Sequence, residues 1–191
     1  MIGTLPSHAE LLAMVGPARA KWAAAPRPAR EPIGPGEESV WDYPRPPRVD
    51  AGTEWLQVRW QGATIAETRT PIWVRETAGA PVPYFPPEAL RAELVPAGPV
   101  TLCEWKGAAL HHDLITPAGR LAAAAYCYPD PLDDLGQGFA RIAGWFSFYP
   151  AKLACTQDGV AVQPQPGGYY GGWVTPGIKG PIKGAAGTQS W

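Results

Sequence analysis

At 191 residues and a formal net charge of −1, the chain is long enough for one domain with a real core, and it carries no electrostatic footprint for nucleic acid or an anionic membrane. Its cysteines, Cys103, Cys127 and Cys155, are an odd set without a C-x-x-C, which argues against a disulfide scaffold and a zinc knuckle. No basic segment leads into an apolar run, and no stretch reaches the roughly 20 apolar residues of a membrane helix, so the expectation is a cytoplasmic protein with reduced thiols.

The 24 prolines and 22 glycines crowd into residues 26–52 and 164–191, and Trp22, Trp41, Trp173 and Trp191 lie in or beside those stretches. Disorder goes with low hydrophobicity, so ends this aromatic read as ordered arms lying on the domain. The expected organisation is an N-terminal helix and Pro-rich arm (1–52), a β domain (53–163) and a Gly/aromatic tail (164–191).

Ser7-His8-Ala9-Glu10 has the S-x-x-E form of a capping box. Leu11, Leu12, Val15, Ala18 and Trp22 then recur at helical steps. Gly16-Pro17 predicts a kink or two short helices. Residues 25–52 have no usable periodicity, and their prolines favour an extended strap. Within it Ser39-Val40-Trp41-Asp42-Tyr43-Pro44 is an aromatic anchor, seating the arm on the core or, in the alternative, on a second copy as a homodimer.

Strand signals begin at Trp55. Leu56, Val58 and Trp60 share a face, Gln61-Gly62 turns, and residues 63–69 return as a hairpin. In Pro71 to Glu76, Ile72, Val74 and Glu76 share a face. This predicts an at least partly buried Glu76 facing a cleft beside Lys106 or Arg59, with a cation or ligand donor near it. Residues 82–85 are short and extended, and Pro86-Pro87-Glu88 opens a short helix. Val100 to Lys106 reads as a strand with Cys103 and Trp105 on one face and Glu104 and Lys106 on the other, ending at a bend on Gly107. Residues 108–116, 121–128 and 144–149 follow as strands, with Tyr126 and Tyr128 on one face; 132–141 is irregular or weakly helical. A last hairpin is split at Asp158-Gly159. Short strands with Gly/Pro turns and little helix indicate a mainly β protein, a single compact antiparallel domain.

Several strings carry a resemblance: Ser39-Val40-Trp41-Asp42-Tyr43-Pro44-Arg45-Pro46-Pro47, Tyr84-Phe85-Pro86, Thr101-x-Cys103-x-Trp105-Lys106-Gly107, Tyr128-Pro129-Asp130-Pro131 and Phe148-Tyr149-Pro150. Together they resemble the bacterial domain-of-unknown-function family 427, and residues 164–173 look like the tail of its longer members. The resemblance implies a small β-rich fold similar to the β-tent group, which includes methionine sulfoxide reductase B and the cereblon ligand-binding domain. It also brings a nucleotidyltransferase-like label. The paired C-x-x-C ligands of β-tent relatives are missing here, which argues against a structural zinc.

The reactive side chains concentrate between Pro83 and Pro131. Cys103, Glu104 and Lys106 are the catalytic candidates: a thiol that a neighbouring cation can activate, and a carboxylate–amine pair for acid/base work. Glu76, Tyr84, Trp105, Tyr126, Tyr128 and Asp130 are the candidates for an aromatic-walled pocket with a polar end. His111-His112-Asp113 suggests metal, but adjacent histidines on a strand point to opposite faces. Asp130, Asp133 and Asp134 could serve nucleotidyl transfer, but no glycine loop of the phosphate-cradling kind accompanies them. The leading reading is a domain binding a small polar or aromatic ligand near residues 76–130. An enzyme using Cys103 or Glu104/Lys106 is the alternative, and an interaction protein docking through arm and tail is the third. The tail is expected to run back over the domain near the pocket mouth, with Trp173 mostly buried.

Overall fold

The computed structural model describes residues 5–23, 25, 27–188 and 190–191. Among the described residues it is mainly β, with one α-helix and several mostly antiparallel sheets that do not close into a barrel. The central sheet has Gly119–Cys127 between Phe146–Phe148 and the ten-residue strand Gly107–Thr116. That long strand takes two partners along its other edge, Thr101–Cys103 near its start and Glu93–Pro96 near its end. A second sheet orders Val160–Ala161, Ala154–Gln157, Leu56–Trp60 and Ala63–Thr68, and a third Arg48–Ala51, Ile72–Arg75 and Val82–Tyr84. Leu56, Val58, Ile65, Phe85, Leu114, Phe148 and Trp173 form the main core where these sheets meet. Ile72, Val74, Tyr84, Tyr126 and Tyr128 form a second core, which backs the site described below.

The expected strand Val100 to Lys106 is corrected. Only Thr101–Cys103 is strand, and Glu104, Trp105 and Lys106 form a three-residue loop before Gly107 re-enters the sheet opposite Cys103. Such a loop needs a closing residue of positive φ, and Gly107 supplies it at +82°. A Cβ there would also press within 3.1 Å of Leu11 and 3.2 Å of Leu132. Because the backbone turns, the period-two facing of Glu104 with Lys106 does not apply. Glu93–Pro96 was not legible as a strand; it is a short edge, where a terminal proline is tolerated.

The helix runs unbroken over His8–Ala23 with Pro17 inside it, not as two pieces. Its capping box forms: Ser7 N donates to Glu10 Oε2 at 2.8 Å, and Glu10 N to Ser7 Oγ at 3.4 Å. Leu11 and Val15 seat it on Ala108 and Leu132, while Leu12 faces solvent. Beyond Pro17, Arg19 clamps it with two bonds to Asp134 (2.6 and 3.0 Å) and one to the carbonyl of Glu104 (2.7 Å). Both sides of the proline are therefore held to the same hairpin.

The arm and tail lock together. Glu38–Ser39 pairs in parallel with Ile178–Lys179. Trp41 is buried, donates from Nε1 to the carbonyl of Pro181 (2.8 Å) and meets Trp191 edge-on at 5.6 Å. The aromatic anchor thus sits on its own chain. The tail returns across the domain: Trp173–Val174 pairs with Gln163–Pro164, and Trp173 is 1 % exposed between Trp73 and Phe85.

Candidate functional site

Between the second core and the tail lies a cavity of about 430 Å³. One wall is the end of Ile72–Arg75, contributing Val74 and Glu76; another is the hairpin carrying Cys103, Glu104, Lys106, Ala109 and His111. Tyr126 and Tyr128 project from Gly119–Cys127 and the residue after it, and Tyr149 and Lys152 follow from the next strand's end. Trp22 and the tail, with Gln165, Tyr169, Tyr170 and Lys183, complete it. Gly171 and Gly172 let the tail lie this close. A Cβ on Gly171 would come 2.8 Å from the Tyr126 hydroxyl, and one on Gly172 2.9 Å from the carbonyl of Ala80.

Lys106 is the most unusual group. It is 8 % exposed, its ammonium lies over the rings of Tyr128 (5.3 Å) and Phe139 (5.9 Å), and no described protein oxygen lies within hydrogen-bonding distance of it. Burial pushes its pKa down, but the neighbouring Cys103, Glu76 and Tyr126 outweigh that and the net direction is up. Lys106 is therefore a fixed cation with open N–H donors. Cys103 stands beside it, half-buried and unbridged.

Glu76 is partly buried and lines the cavity with Lys106, while Arg59 lies elsewhere; its ion-pair partner is Arg45, whose Nε donates to Oε1 at 3.2 Å, and Trp105 Nε1 donates to the same oxygen at 3.1 Å. The guanidinium reaches Glu76 from the Pro-rich arm, 31 residues upstream, and also bonds the carbonyl of Thr77 (3.0 Å). Trp105 thus orients Glu76 and packs in the core behind the cavity. Tyr84 lies deeper still, fully buried and edge-on to Tyr126 at 6.3 Å; burial holds its hydroxyl well above the usual range. Asp130 lies apart from the cavity lining, at the surface, 3.1 Å from His8.

The two histidines take opposite sides of their strand. His111 faces the cavity, 2.9 Å from Thr101 Oγ1 and stacked parallel to Tyr149, while His112 is buried against Phe146. Burial first, and then the charge of Lys152, lowers the pKa of His111. Lys152 itself donates to the carbonyls of Ala122 and Ala123 (2.9 and 3.0 Å). These lie at a bulge where Ala123 has φ +45°, pinned from the other side by Asp113, which accepts from Ala123 N at 2.7 Å. Among the described residues no three His, Cys, Asp or Glu side chains gather as a metal site. Asp133 caps the amides of Gly138 and Ala140, and Asp134 holds Arg19.

Sequence reasoning missed Trp22, Lys152, Gln165 and Lys183 as site residues; only Tyr169 and Tyr170 were signalled, by the aromatic spacing of the tail. It also missed Arg19, which fixes the loop carrying Glu104 and Lys106 from a helix that reads as plain packing.

The fold and cavity define a small mainly β protein with a partly open cavity lined by aromatic residues and lysines. The family model for a domain of unknown function (DUF427) matches residues 48–159, more than half of the chain, and the chain belongs to that family. No curated protein matches it. Among the described residues no helix is long and apolar enough to cross a membrane.

Proposed function

We propose that the cavity binds a small organic acid with an aromatic or otherwise flat apolar body. The observation that supports this is Lys106, an 8 % exposed lysine whose ammonium has Cys103 beside it and no described protein oxygen within hydrogen-bonding distance. A thiol is a weak partner for a desolvated cation, and a ligand carboxylate or similar oxyanion is a stronger one. The aromatic faces of Tyr126, Tyr128 and Tyr149 suit the body of such a ligand. The volume is in the range of small-molecule sites.

Saturation-transfer NMR with phenylacetate and its cationic counterpart phenethylamine tests this. Transfer to phenylacetate, lost on Lys106→Met, is the expected result. Equal transfer to both compounds, or none to phenylacetate at millimolar concentration, would remove the reading.

A second reading, catalysis at Cys103, draws on the thiol's place beside Lys106 in the same cavity. It is tested by whether a bound organic acid ester or thioester is turned over with Cys103 but not with Cys103→Ser. Nucleotidyl transfer has less support, since Asp130, Asp133 and Asp134 are engaged outside the cavity.

A further inference from the structure

We propose that Lys183 forms a second anion subsite in this cavity, so that the natural ligand is an organic acid with two separated acidic groups. The inference rests on the organic-acid reading above and deepens it. Lys183 is 9 % exposed and lines the cavity, and no described protein oxygen lies within hydrogen-bonding distance of its ammonium. It sits 3.6 Å from the centroid of Trp22, with Tyr170 at 5.8 Å. A ring face attracts a cation but leaves most of its N–H donors unused.

The two buried lysines share no aromatic neighbour: Tyr128 and Phe139 flank Lys106, and Trp22 and Tyr170 flank Lys183. They are separate points in one chamber. The charge balance agrees. Of the lining residues, the three lysines Lys106, Lys152 and Lys183 face the two carboxylates Glu76 and Glu104, and Arg45 engages Glu76 from outside the lining, so the cavity carries surplus positive charge for an anionic ligand. The positive end is reinforced on Trp22, which also carries Arg45 at 4.9 Å and Lys21 at 5.4 Å.

The subsite is rigidly placed. Lys183 N donates to the carbonyl of Ala78 at 2.8 Å, and the Lys183 carbonyl accepts from Gln165 Nε2 at 2.8 Å. Gln165 in turn accepts from Ala80 N at 3.0 Å, fixing the tail to the cavity wall. Trp22 and Lys183 both lie outside residues 48–159, so this specificity belongs to the N-terminal helix and the tail rather than to the shared family domain.

Isothermal titration calorimetry of the full chain, with phenylacetate and with the ortho, meta and para isomers of carboxyphenylacetate, tests the proposal. At least one diacid should bind about tenfold or more tighter than phenylacetate, the factor a second charge-assisted hydrogen bond supplies. Lys183→Met should bring that diacid to the phenylacetate level, and Lys183→Arg should restore most of the difference. If Lys183→Met fails to fold, the wild-type ratio and the Lys183→Arg variant still decide. Phenylacetate binding with no tighter diacid, or a diacid advantage untouched by Lys183→Met, overturns the second subsite and leaves the first reading standing. No binding by any of the four acids overturns both.

Discussion

Lys106→Met separates a binding lysine from a structural one. The methionine keeps most of the apolar stem that packs on Tyr128 and Phe139 and removes the charge. In the wild type, burying the ammonium at 8 % exposure costs several kcal/mol, and two ring faces at roughly 0.5–2 kcal/mol each return only part of it. The nearby Glu76 returns more, but its own bonds run to Arg45 and Trp105 and survive the substitution. The net upward shift of Lys106 means these contacts offset the desolvation, so the balance for the empty protein lies within about 1 kcal/mol of zero. At about 2–4 °C per kcal/mol for a chain of this size, Tm should stay within about 4 °C of wild type. Phenylacetate affinity should fall about 10- to 150-fold, the worth of one charge-assisted hydrogen bond of about 1.5–3 kcal/mol. Differential scanning calorimetry and titration calorimetry on the same preparations read both quantities. A variant that melts more than about 4 °C lower and binds phenylacetate unchanged would show that Lys106 supports the fold and not a ligand.

Three further outcomes follow from the geometry. Cys127 and Cys155 are buried and their thiols are pushed up to about 11 and about 12 by burial, so a thiol reagent should modify Cys103 alone in the native protein and all three cysteines after denaturation; rapid native reaction of more than one would contradict this. Asp113 is held below the usual carboxylate range, first by the Ala123 amide and then by Arg120; its stabilisation is therefore full above the unfolded carboxylate pKa and is lost as pH falls through the folded one. Asp113→Asn should cost about 1.5–3 kcal/mol at neutral pH and shrink the loss of stability on acidification, and an unchanged acid limb would refute the bulge-pinning role. Trp173→Ala should cost about 3–5 kcal/mol, since the indole is 1 % exposed among Trp73 and Phe85; a Tm within 2 °C or so of wild type would show that the tail does not help hold the core.

The β class, the hairpin at Gln61-Gly62 and the long strands were readable because period-two alternation and turn residues are local signals. Cys103, Lys106, Glu76, Tyr126 and Tyr128 come together in the cavity because each lies on or just beside a strand of that kind. What escaped depends on chain reversal over long range. Arg45 reaches Glu76, Arg19 reaches Glu104, and Lys183 reaches Trp22 only after the arm and tail fold back, and no period in the sequence encodes those pairings. The strand across Glu104 to Lys106 failed for the opposite reason. Alternation continued through residues whose loop is set by Gly107 and by the seat that Leu11 and Leu132 provide.

The most direct test of the central claim is a crystal structure of the protein with saturating phenylacetate. The account predicts the carboxylate in the cavity with an oxygen about 2.7–3.2 Å from Lys106 Nζ and the ring against Tyr126 or Tyr128. An occupied Lys106 bonded only to water or to a protein carboxylate, with phenylacetate absent from the cavity, would contradict it.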